Sequence, residues 1–439
     1  NGPVGEWRSK RLLRDPGAWY HIVAAFDTTQ GAVGDRGKFY LNGTQITDWD
    51  ASYNGSGLTQ NHSFTGWNKS GQIQQIGSYA YQASATGSAY FDGYISDFYF
   101  IDNQQLTPTS FGETNEDTGQ WLPIKYTGTY NSNSYFLNFK DNSNTTTTTL
   151  GKDNSGNSNN WTCNNLSVAA GEGNDSLEDS PTNNFCTWNS NFIAHDGALL
   201  GTLNNGSLDY SNSGSSGNAG RMKLEGTIYF PSSGKWYMEM TDLNNRYIGI
   251  GGGDILTLDE PGTFKGGGYA TEYILLMSGN DEFNDGSTSG AHTSWVDSDV
   301  IGCGYDIDNQ TVKFYKNGTL IQTYTGVTVA NNYRWFSVQN SSASAGTCKA
   351  NFGQRPFHTL PAGYKALCTT NLPEPTVKNP NAHFGTLLYT GNESASTING
   401  LEFTPDLIIN KYRGGNSHVL WIDRVRGIAG DKMLCSNTD

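Results

Sequence analysis

Two stretches of the chain are near copies: Lys38-Phe39-Tyr40-Leu41-Asn42-Gly43-Thr44-Gln45-Ile46 and Lys313-Phe314-Tyr315-Lys316-Asn317-Gly318-Thr319-Leu320-Ile321. In each stretch an Asn-Gly dipeptide separates two runs in which apolar and polar residues alternate. A two-residue type I′ turn needs positive φ at both central positions, and Asn and Gly tolerate that conformation best. The sequence therefore predicts the same β-hairpin twice, with structural turns at Asn42, Gly43, Asn317 and Gly318.

An apolar strand that ends in an aromatic-Asp pair precedes each hairpin. Phe26-Asp27 follows the run at 21–25, and Tyr305-Asp306 follows the run at 300–304. The chain thus encodes one antiparallel strand-turn-strand device at two distant places. This repetition predicts two β-sandwich domains in tandem.

The composition favours an all-β protein. The 439 residues include 54 Gly, 24 Tyr, 20 Phe and 11 Trp, and only 15% of them are charged. Helices need charged helix formers such as Glu and Lys, in which this chain is poor. Aromatic and β-branched residues that alternate between Gly, Asn and Ser turns are typical of strands. We therefore expect tandem antiparallel β-sandwiches.

Charge and hydropathy exclude two classes of partner. The formal net charge is −14 and the sequence shows no basic clusters that could neutralise phosphates, so nucleic acid is not an expected partner. No apolar run approaches the length of a membrane-spanning helix, so membrane insertion is not expected. The six cysteines show no C-x-x-C spacing, which argues against zinc and redox motifs. Whether Cys163 and Cys186 pair is left open.

The first domain carries a recognisable order of motifs. These are Trp19-Tyr20-His21-Ile22-Val23, then the first hairpin, then Phe91-Asp92-Gly93-Tyr94-Ile95-Ser96-Asp97-Phe98, then Leu106-Thr107-Pro108. The order resembles the C-terminal half of a laminin-G-like, concanavalin A-like jelly roll. Only 18 residues precede Trp19, so the resemblance implies that this domain, at 1–128, is incomplete at its N-terminus. We expect residues 88–101 to form one of its strands, with a bend or bulge at Gly93.

The region from 186 to 357 resembles a SPRY domain. Its strand motifs are Gly234-Lys235-Trp236-Tyr237-Met238-Glu239-Met240, Tyr247-Ile248-Gly249-Ile250-Gly251, 299–306, the second hairpin, Trp335-Phe336-Ser337-Val338 and Ala350-Asn351-Phe352-Gly353. The resemblance implies a complete jelly roll that grips a peptide or partner protein through its loops.

Two further segments complete the predicted domain organisation. Residues 129–185 are rich in Asn and Thr, and their polar composition predicts an irregular connector packed on the sandwiches. Residues 376–439 contain two strand-like runs, at 384–391 and 401–411, and we expect them to form part of a third β domain.

The order of the modules is similar to that of large structural and fibre-like proteins of marine bacteriophages. The resemblance implies a virion or extracellular location, in a tail fibre or surface appendage. It also implies contact with other virion proteins and with host-surface carbohydrate. A homo-oligomer is consistent with a fibre, although the sequence shows no coiled-coil heptads.

The sequence argues against an enzyme. Glycan-cleaving enzymes on the concanavalin A-like fold use two carboxylates about 5–5.5 Å apart on one strand, and no such Glu/Asp pair is found. H-E-x-x-H and G-x-S-x-G motifs are also absent from the sequence. Two alternatives stay open: a secreted polysaccharide-binding module or glycoside hydrolase of concanavalin A-like fold, and a purely structural protein-interaction module.

Two sets of residues are candidate ligand sites. Sugar rings stack on aromatic side chains while Asn and Asp bond the hydroxyls, which selects the following loop aromatics. They are Trp49, Trp67, Tyr79, Tyr81 and Trp295. The resemblance to laminin-G-like domains and lectins also implies Ca²⁺ bound by loop oxygens, for which the candidates are Asp27, Asp35 and Asp92. The alternatives are core or turn packing for the aromatics and turn capping for the carboxylates.

Overall fold

The computed structural model describes most of the chain. The described residues are 6–15, 17–64, 71, 73–78, 90–171, 173–190, 201–212, 223–243, 246–252, 274–278, 282–284, 287–288, 292–327, 334–340, 346–392, 394, 397–427 and 434–435. The chain divides into two compact units. Unit 1 consists of Asn1–Phe111 and Pro123–Pro373, and unit 2 consists of Gly112–Leu122 and Glu374–Asp439.

Strands make up almost all of the regular structure. They are β1 Trp7–Ser9, β2 Ile22–Phe26, β3 Gly37–Leu41, β4 Thr44–Gln45, β5 Trp49–Asn54, β6 Phe98–Phe100, β7 Gly112–Thr114, β8 Trp121–Pro123, β9 Tyr135–Leu137, β10 Thr202–Asn204, β11 Asp209–Asn212, β12 Lys223–Glu225, β13 Lys235–Thr241, β14 Arg246–Gly252, β15 Ile274–Met277, β16 Glu282–Asn284, β17 Ser287–Thr288, β18 Ile301–Asp306, β19 Thr311–Lys316, β20 Thr319–Thr325, β21 Arg334–Asn340, β22 Gly346–Asn351, β23 Lys365–Ala366, β24 Leu407–Lys411, β25 Val419–Asp423 and β26 Leu434–Cys435. The described helical elements are α1 Val33–Arg36 and three short 3-10 turns at Pro108–Ser110, Thr369–Asn371 and Pro380–Ala382. The predicted all-β fold is confirmed.

A two-sheet sandwich dominates unit 1. One sheet has the order β10-β11-β22-β13-β18-β19-β20, with β23 parallel beside β13. The other sheet has the order β12-β21-β14-β15-β16-β17. Alternation along β13 sends Trp236, Met238 and Met240 into the core between the sheets, where all three are almost fully buried.

The outer face of the larger sheet carries a second apolar cluster. Tyr237, Tyr315 and Tyr364 are buried there, and Phe357 packs against them. A Cβ on Gly302 would overlap the Tyr237 hydroxyl, and the corresponding Cβ at Gly304 would lie 2.7 Å from the Tyr364 ring. The two glycines of β18 therefore leave room for the rings to lie flat on the sheet.

Both repeated stretches form the predicted hairpins. Asn42 and Gly43 have φ of 46° and 77°, and Asn317 and Gly318 have φ of 48° and 81°. These values fit the type I′ turn that the Asn-Gly dipeptide favours. Each hairpin is the second half of a three-stranded antiparallel meander, β2-β3-β4 in the first case and β18-β19-β20 in the second.

The strand expected at 88–101 is much shorter than the sequence indicates. Of its described residues only β6, Phe98–Phe100, is a strand, and 90–97 are irregular. Gly93 has φ of 156° and Asp97 has φ of 50°, values outside the extended region of a β-strand. The predicted irregularity at Gly93 is present, but the strand on its N-terminal side is not, because the backbone leaves the extended conformation at both Gly93 and Asp97.

Unit 2 contains two small sheets. β7 pairs with β8, and β24, β25 and β26 form an antiparallel sheet in that order. The side-chain amide of Asn381 donates to the Gly119 carbonyl at 3.2 Å and so joins the two segments of the unit. In β24 the consecutive residues Leu407, Ile408 and Ile409 are 52%, 46% and 51% exposed. Both faces of this strand are therefore open.

Two absences concern the described part of the chain. None of its helices is long and apolar enough to cross a membrane. All six cysteines are free thiols, so Cys163 and Cys186 do not pair. Cys186, Cys303 and Cys348 are buried in the sandwich core, where desolvation raises the pKa of each thiol.

Candidate functional site

The three carboxylates predicted to bind Ca²⁺ are engaged by protein groups. Asp27 accepts hydrogen bonds from the hydroxyl of Thr29 at 2.7 Å and the amide of Gln30 at 2.6 Å, which lower its pKa. Asp35 forms a 3.1 Å ion pair with Lys38. Asp92 accepts a 3.4 Å bond from a backbone N–H at residue 206. Within the described residues no group of three or more His, Cys, Asp or Glu side chains could hold a metal ion.

Two of the predicted sugar-stacking aromatics, Trp49 and Trp295, lie within the described residues. Trp49 packs edge-on against Phe39, with ring centroids 5.5 Å apart, in a small aromatic cluster. Trp67, Tyr79 and Tyr81 lie outside the described residues. Trp295 is 5% exposed and belongs to the sandwich core. Trp295 lies in a loop, but its ring packs into the sandwich core, as in the alternative of core packing.

The Asn- and Thr-rich connector is ordered around one buried carboxylate. Asp153 is 5% exposed and accepts four hydrogen bonds. The donors are the backbone N–H of Phe136 at 2.9 Å, the N–H and hydroxyl of Ser155 at 2.8 Å each, and the N–H of Asn159 at 2.9 Å. A buried carboxylate is stable only when such donors replace its hydration, so these four bonds fix the loop that follows β9.

Side-chain amides close the other side of this loop. Asn157 donates to the carbonyls of Asn131 and Ser134 at 2.7 and 3.0 Å. Asn159 donates to the carbonyls of Ser132 and Ser134 at 2.8 and 2.9 Å. The amide groups of the polar segment therefore satisfy backbone carbonyls in place of a β-ladder.

Aromatic stacking attaches the connector to residues 98–100 of the predicted first domain. β9 pairs with β6 in an antiparallel arrangement. The ring of Phe136 lies 4.2 Å from that of Tyr99 with 3° between their planes, and Tyr135 stacks on Phe100 and touches Trp161. These few rings stand among many polar residues, and they supply the apolar contact that anchors the segment.

An open cavity of about 280 Å³ lies on the connector. Its walls come from two segments of the chain that the bridge between Leu137 and Asp153 holds side by side. The lining residues are Asn138, Lys140, Asp141, Thr149, Lys152 and Asn154. The volume is slightly below the roughly 300–1,000 Å³ of ligand pockets, so only a small ligand or one part of a larger ligand fits.

A strained backbone shapes one wall of this cavity. Phe139, between Asn138 and Lys140, has φ of 53°. The structure describes twelve non-glycine residues with positive φ, and all except Phe139 are Asn, Asp, Ser or Gln. A bulky residue in this conformation is held at a cost of roughly 1–3 kcal/mol.

Hydrogen bonds fix the strained wall in place. The side-chain oxygen of Asn138 accepts from the Lys140 N–H at 3.2 Å and from the Asn154 amide at 3.1 Å. The same Asn154 amide donates to the Lys152 carbonyl at 3.0 Å. The two walls are therefore tied to each other before any ligand enters, which preorganises the cavity.

The cavity is locally basic in an acidic protein. Lys140 and Lys152 are exposed, and among the described residues neither ammonium group has an ion-pair partner within 4 Å. Asp141 is the only acidic lining residue. Its carboxylate accepts from the N–H and hydroxyl of Ser143, which lower its pKa, and the charge of Lys152 lowers it further. The site carries a net charge of about +1, from two ammonium groups and one carboxylate.

A second buried carboxylate lies on the outer face of the SPRY-like sandwich. Glu239 is 4% exposed, and burial raises its pKa. It accepts from the N–H groups of His358 at 2.7 Å and Thr359 at 3.0 Å, and from the Tyr237 hydroxyl at 3.3 Å. Glu239 thus holds the segment at 358–359 against the outer face of the sheet, and both of its carboxylate oxygens accept from protein donors.

A third buried carboxylate, Asp179, contacts a residue of the predicted first domain. The indole N–H of Trp19 donates to Asp179 at 2.9 Å, and the Trp19 ring lies 6.2 Å from that of Tyr94. Desolvation raises the pKa of Asp179 to about 6, although bonds to its carboxylate oppose the rise. Asp179 is thereby a pH-sensitive contact within unit 1.

The sequence alone did not predict the connector cavity. Its residues are polar and lack strand periodicity, so they indicate a linker. A signal was nevertheless present in the repeated tripeptide Asp-Asn-Ser, at 141–143 and 153–155. In both copies the aspartate accepts from the serine two residues on, which is an Asx-turn pattern that orders loops.

Family models match two parts of the chain. Residues 235–355 match the SPRY domain, and residues 379–439 match a domain of unknown function, DUF7483. A comparison with curated proteins gives no match. The SPRY match extends from β13 to β22 and so spans the centre of the two-sheet sandwich.

Solved structures similar to the chain include two SPRY domains and a toxin. The SPRY domain of human HERC1 is 16% identical with a TM-score of 0.28, and the match covers 35% of this chain and 92% of that chain. The TRIM65 PSpry domain is 12% identical with a TM-score of 0.30, covering 38% and 92%. Stonustoxin is 16% identical with a TM-score of 0.30, covering 38% of this chain and 27% of that chain.

The family match and the sandwich topology agree. The expectation of a SPRY-like jelly roll followed from the order of strand motifs between 234 and 353, and the match covers the same motifs. A SPRY domain is a non-enzymatic fold that mediates protein-protein interaction. The sandwich of unit 1 is therefore SPRY-like over residues 235–355.

Proposed function

We propose that the chain is a non-enzymatic structural and adhesion protein of a bacteriophage particle, in a tail fibre or similar surface appendage. Its SPRY domain contacts other proteins of the particle, and its remaining β modules, including the laminin-G-like region at 1–128, contact glycans of the host surface. The observation that carries the proposal is the SPRY match at 235–355, because this fold is an interaction module.

The connector supports the adhesive part of the proposal. Residues with amide, hydroxyl, ammonium and carboxylate side chains line one open cavity of about 280 Å³. Such groups bond sugar hydroxyls without performing chemistry on them. The cavity has one lining carboxylate, Asp141, whereas glycoside hydrolysis generally uses a pair.

Two measurements on the full chain test this function. Mass spectrometry of purified phage particles should detect the chain among the particle proteins. A glycan array probed with the full chain should show selective binding of bacterial surface glycans. Absence from the particles together with an array without any binder would contradict the proposal.

A second function has a specific observation in its favour. The SPRY match alone is consistent with a structural protein-interaction module that has no glycan ligand. In that case the chain is found in purified particles, bound to another particle protein, and the array is blank. Reducing-sugar release from a marine polysaccharide would instead favour a hydrolase, the remaining alternative.

A further inference from the structure

We propose that the connector cavity binds an anionic sugar, one that carries a carboxylate or a sulfate ester. This inference rests on the proposed adhesive function and names the ligand class of its connector site. The lysines 140 and 152 would pair with the acidic group, while Asn138 and Asp141 contact the ring hydroxyls.

The charges of the lining select an anion. Lys140 and Lys152 approach the cavity from segments twelve residues apart, and no described carboxylate forms an ion pair with either ammonium group. Asp141 stays ionised, because its bonds from Ser143 and the nearby charge of Lys152 lower its pKa. Two ammonium groups and one carboxylate leave the lining with a net positive charge, which attracts an anion.

The absence of an aromatic wall decides between classes of sugar. No aromatic side chain is among the residues that line the cavity. Neutral sugars are held largely by stacking on such rings, whereas a charged group is held by charge-assisted hydrogen bonds. A ligand of this cavity must therefore be recognised by charge and hydroxyl contacts.

The geometry of the walls is set before the ligand arrives. Phe139 keeps a left-handed backbone between Asn138 and Lys140, and the bond between Asn138 and Asn154 closes the two walls on each other. Behind them the buried carboxylate of Asp153 holds the loop. Backbone strain that the surroundings hold in place is a feature of ligand sites.

Calorimetric titration of the full chain tests the inference with four probes. They are a sulfated galactan tetrasaccharide, a polyuronate tetrasaccharide, a neutral galactan tetrasaccharide and inorganic sulfate. We expect at least one acidic saccharide to bind about tenfold more tightly than the neutral one, and its affinity to fall when salt rises from about 50 mM to about 500 mM. The two acidic probes separate the sulfate ester from the carboxylate.

Variants assign the binding to the cavity. The double variant Lys140→Gln/Lys152→Gln should bind the acidic saccharide about tenfold more weakly, and Lys140→Arg/Lys152→Arg should retain most of the affinity. Asp141→Asn should bind about twofold to threefold more tightly, because it removes a like charge. Lys125→Gln, which changes another exposed lysine of unit 1, is the matched control and should bind as the unmodified chain does.

The outcomes separate this inference from the proposed function. Unchanged binding by the Lys140→Gln/Lys152→Gln variant, or equal binding of the neutral saccharide, overturns the anionic-sugar site while leaving glycan adhesion intact. Binding of inorganic sulfate without binding of any saccharide also overturns it. A full chain that binds no saccharide in the titration and none on the array overturns both.

Discussion

The side-chain oxygen of Asn317 accepts a hydrogen bond from the backbone N–H of Val300, with 2.8 Å between the two atoms. The N–H of Asn317 returns a bond to the Val300 carbonyl at 2.8 Å. Asn42 and His21 make the same two bonds, at 2.8 and 2.9 Å. The turn asparagine therefore ties each hairpin to the start of the preceding strand. The duplicated stretches therefore have a structural role: each belongs to a three-stranded meander that the turn asparagine stabilises by hydrogen bonds.

The first prediction concerns this turn. Asn317→Ala should lower the free energy of unfolding by about 2 kcal/mol, because Ala at positive φ is strained and the side-chain bonds are lost. Asn317→Gly keeps the backbone conformation and should cost only about 1 kcal/mol, for the lost bonds. Urea unfolding of the full chain measures both. An Asn317→Gly variant as unstable as Asn317→Ala would show that the φ requirement is unimportant.

The second prediction concerns the buried carboxylate of the connector. Asp153→Ala should destabilise the segment around β9 by about 3–5 kcal/mol, because four donors lose their acceptor in a buried site. Hydrogen-deuterium exchange of peptides from 131–161 should show the loss.

A matched control exists within the same segment. Asp141 has the same Asp-Asn-Ser context, but its carboxylate is exposed to solvent. Asp141→Ala should therefore leave exchange across 131–161 close to that of the unmodified chain. If the two variants behaved alike, the buried network would not be what orders the connector.

The third prediction concerns pH. The pKa of Asp179 is raised from 3.8 to about 6, which corresponds to about 3 kcal/mol. Because the folded pKa lies above the unfolded one, the stabilising contribution is complete below about pH 4 and is lost as pH rises through 6. We expect Asp179→Asn to gain stability relative to the unmodified chain between pH 4 and pH 7.

The difference in stability between the variant and the unmodified chain isolates this carboxylate. Asp299 and Asp306 have lowered pKa values and change stability in the opposite direction, so the raw pH profile mixes several groups. Both proteins contain these groups, so their contributions to the pH dependence of stability cancel in the difference. Thermal unfolding at a series of pH values gives that difference, and a value independent of pH would refute the role of Asp179.

The fourth prediction concerns the segment that crosses the outer face of the SPRY sandwich. Glu239→Ala leaves the N–H groups of His358 and Thr359 without their acceptor and should cost about 2–4 kcal/mol. Tyr237→Phe removes one weaker donor at 3.3 Å and should cost less than about 1 kcal/mol. Denaturant midpoints give the stability of the two variants. Equal losses of stability would show that the bonds from the two backbone N–H groups are not the main contribution of Glu239.

The sequence was a good guide where local chemistry decides the structure. Asn-Gly dipeptides require positive φ, so the hairpins at 42–43 and 317–318 could be predicted from two residues each. The core positions of β13 follow the period of two, and so Trp236 and Tyr237 face opposite sides.

Long-range contacts decide the rest, and the sequence does not display them. Trp295 looks like a loop aromatic, and only the packing of the whole sandwich shows that it is buried. The cavity joins residues 138–141 to 149–154 through Asp153, whose burial depends on amides from both sides. Polar residues at such positions are indistinguishable from a linker until their hydrogen-bond partners are known.

Hydrogen-deuterium exchange of the full chain, with and without the glycan selected on the array, tests most directly that this is an adhesion protein whose connector holds an acidic sugar. We predict that the glycan slows exchange in peptides covering 136–154, and that the Lys140→Gln/Lys152→Gln variant shows no such protection. Glycan-dependent protection elsewhere, with exchange at 136–154 unchanged, would contradict the account.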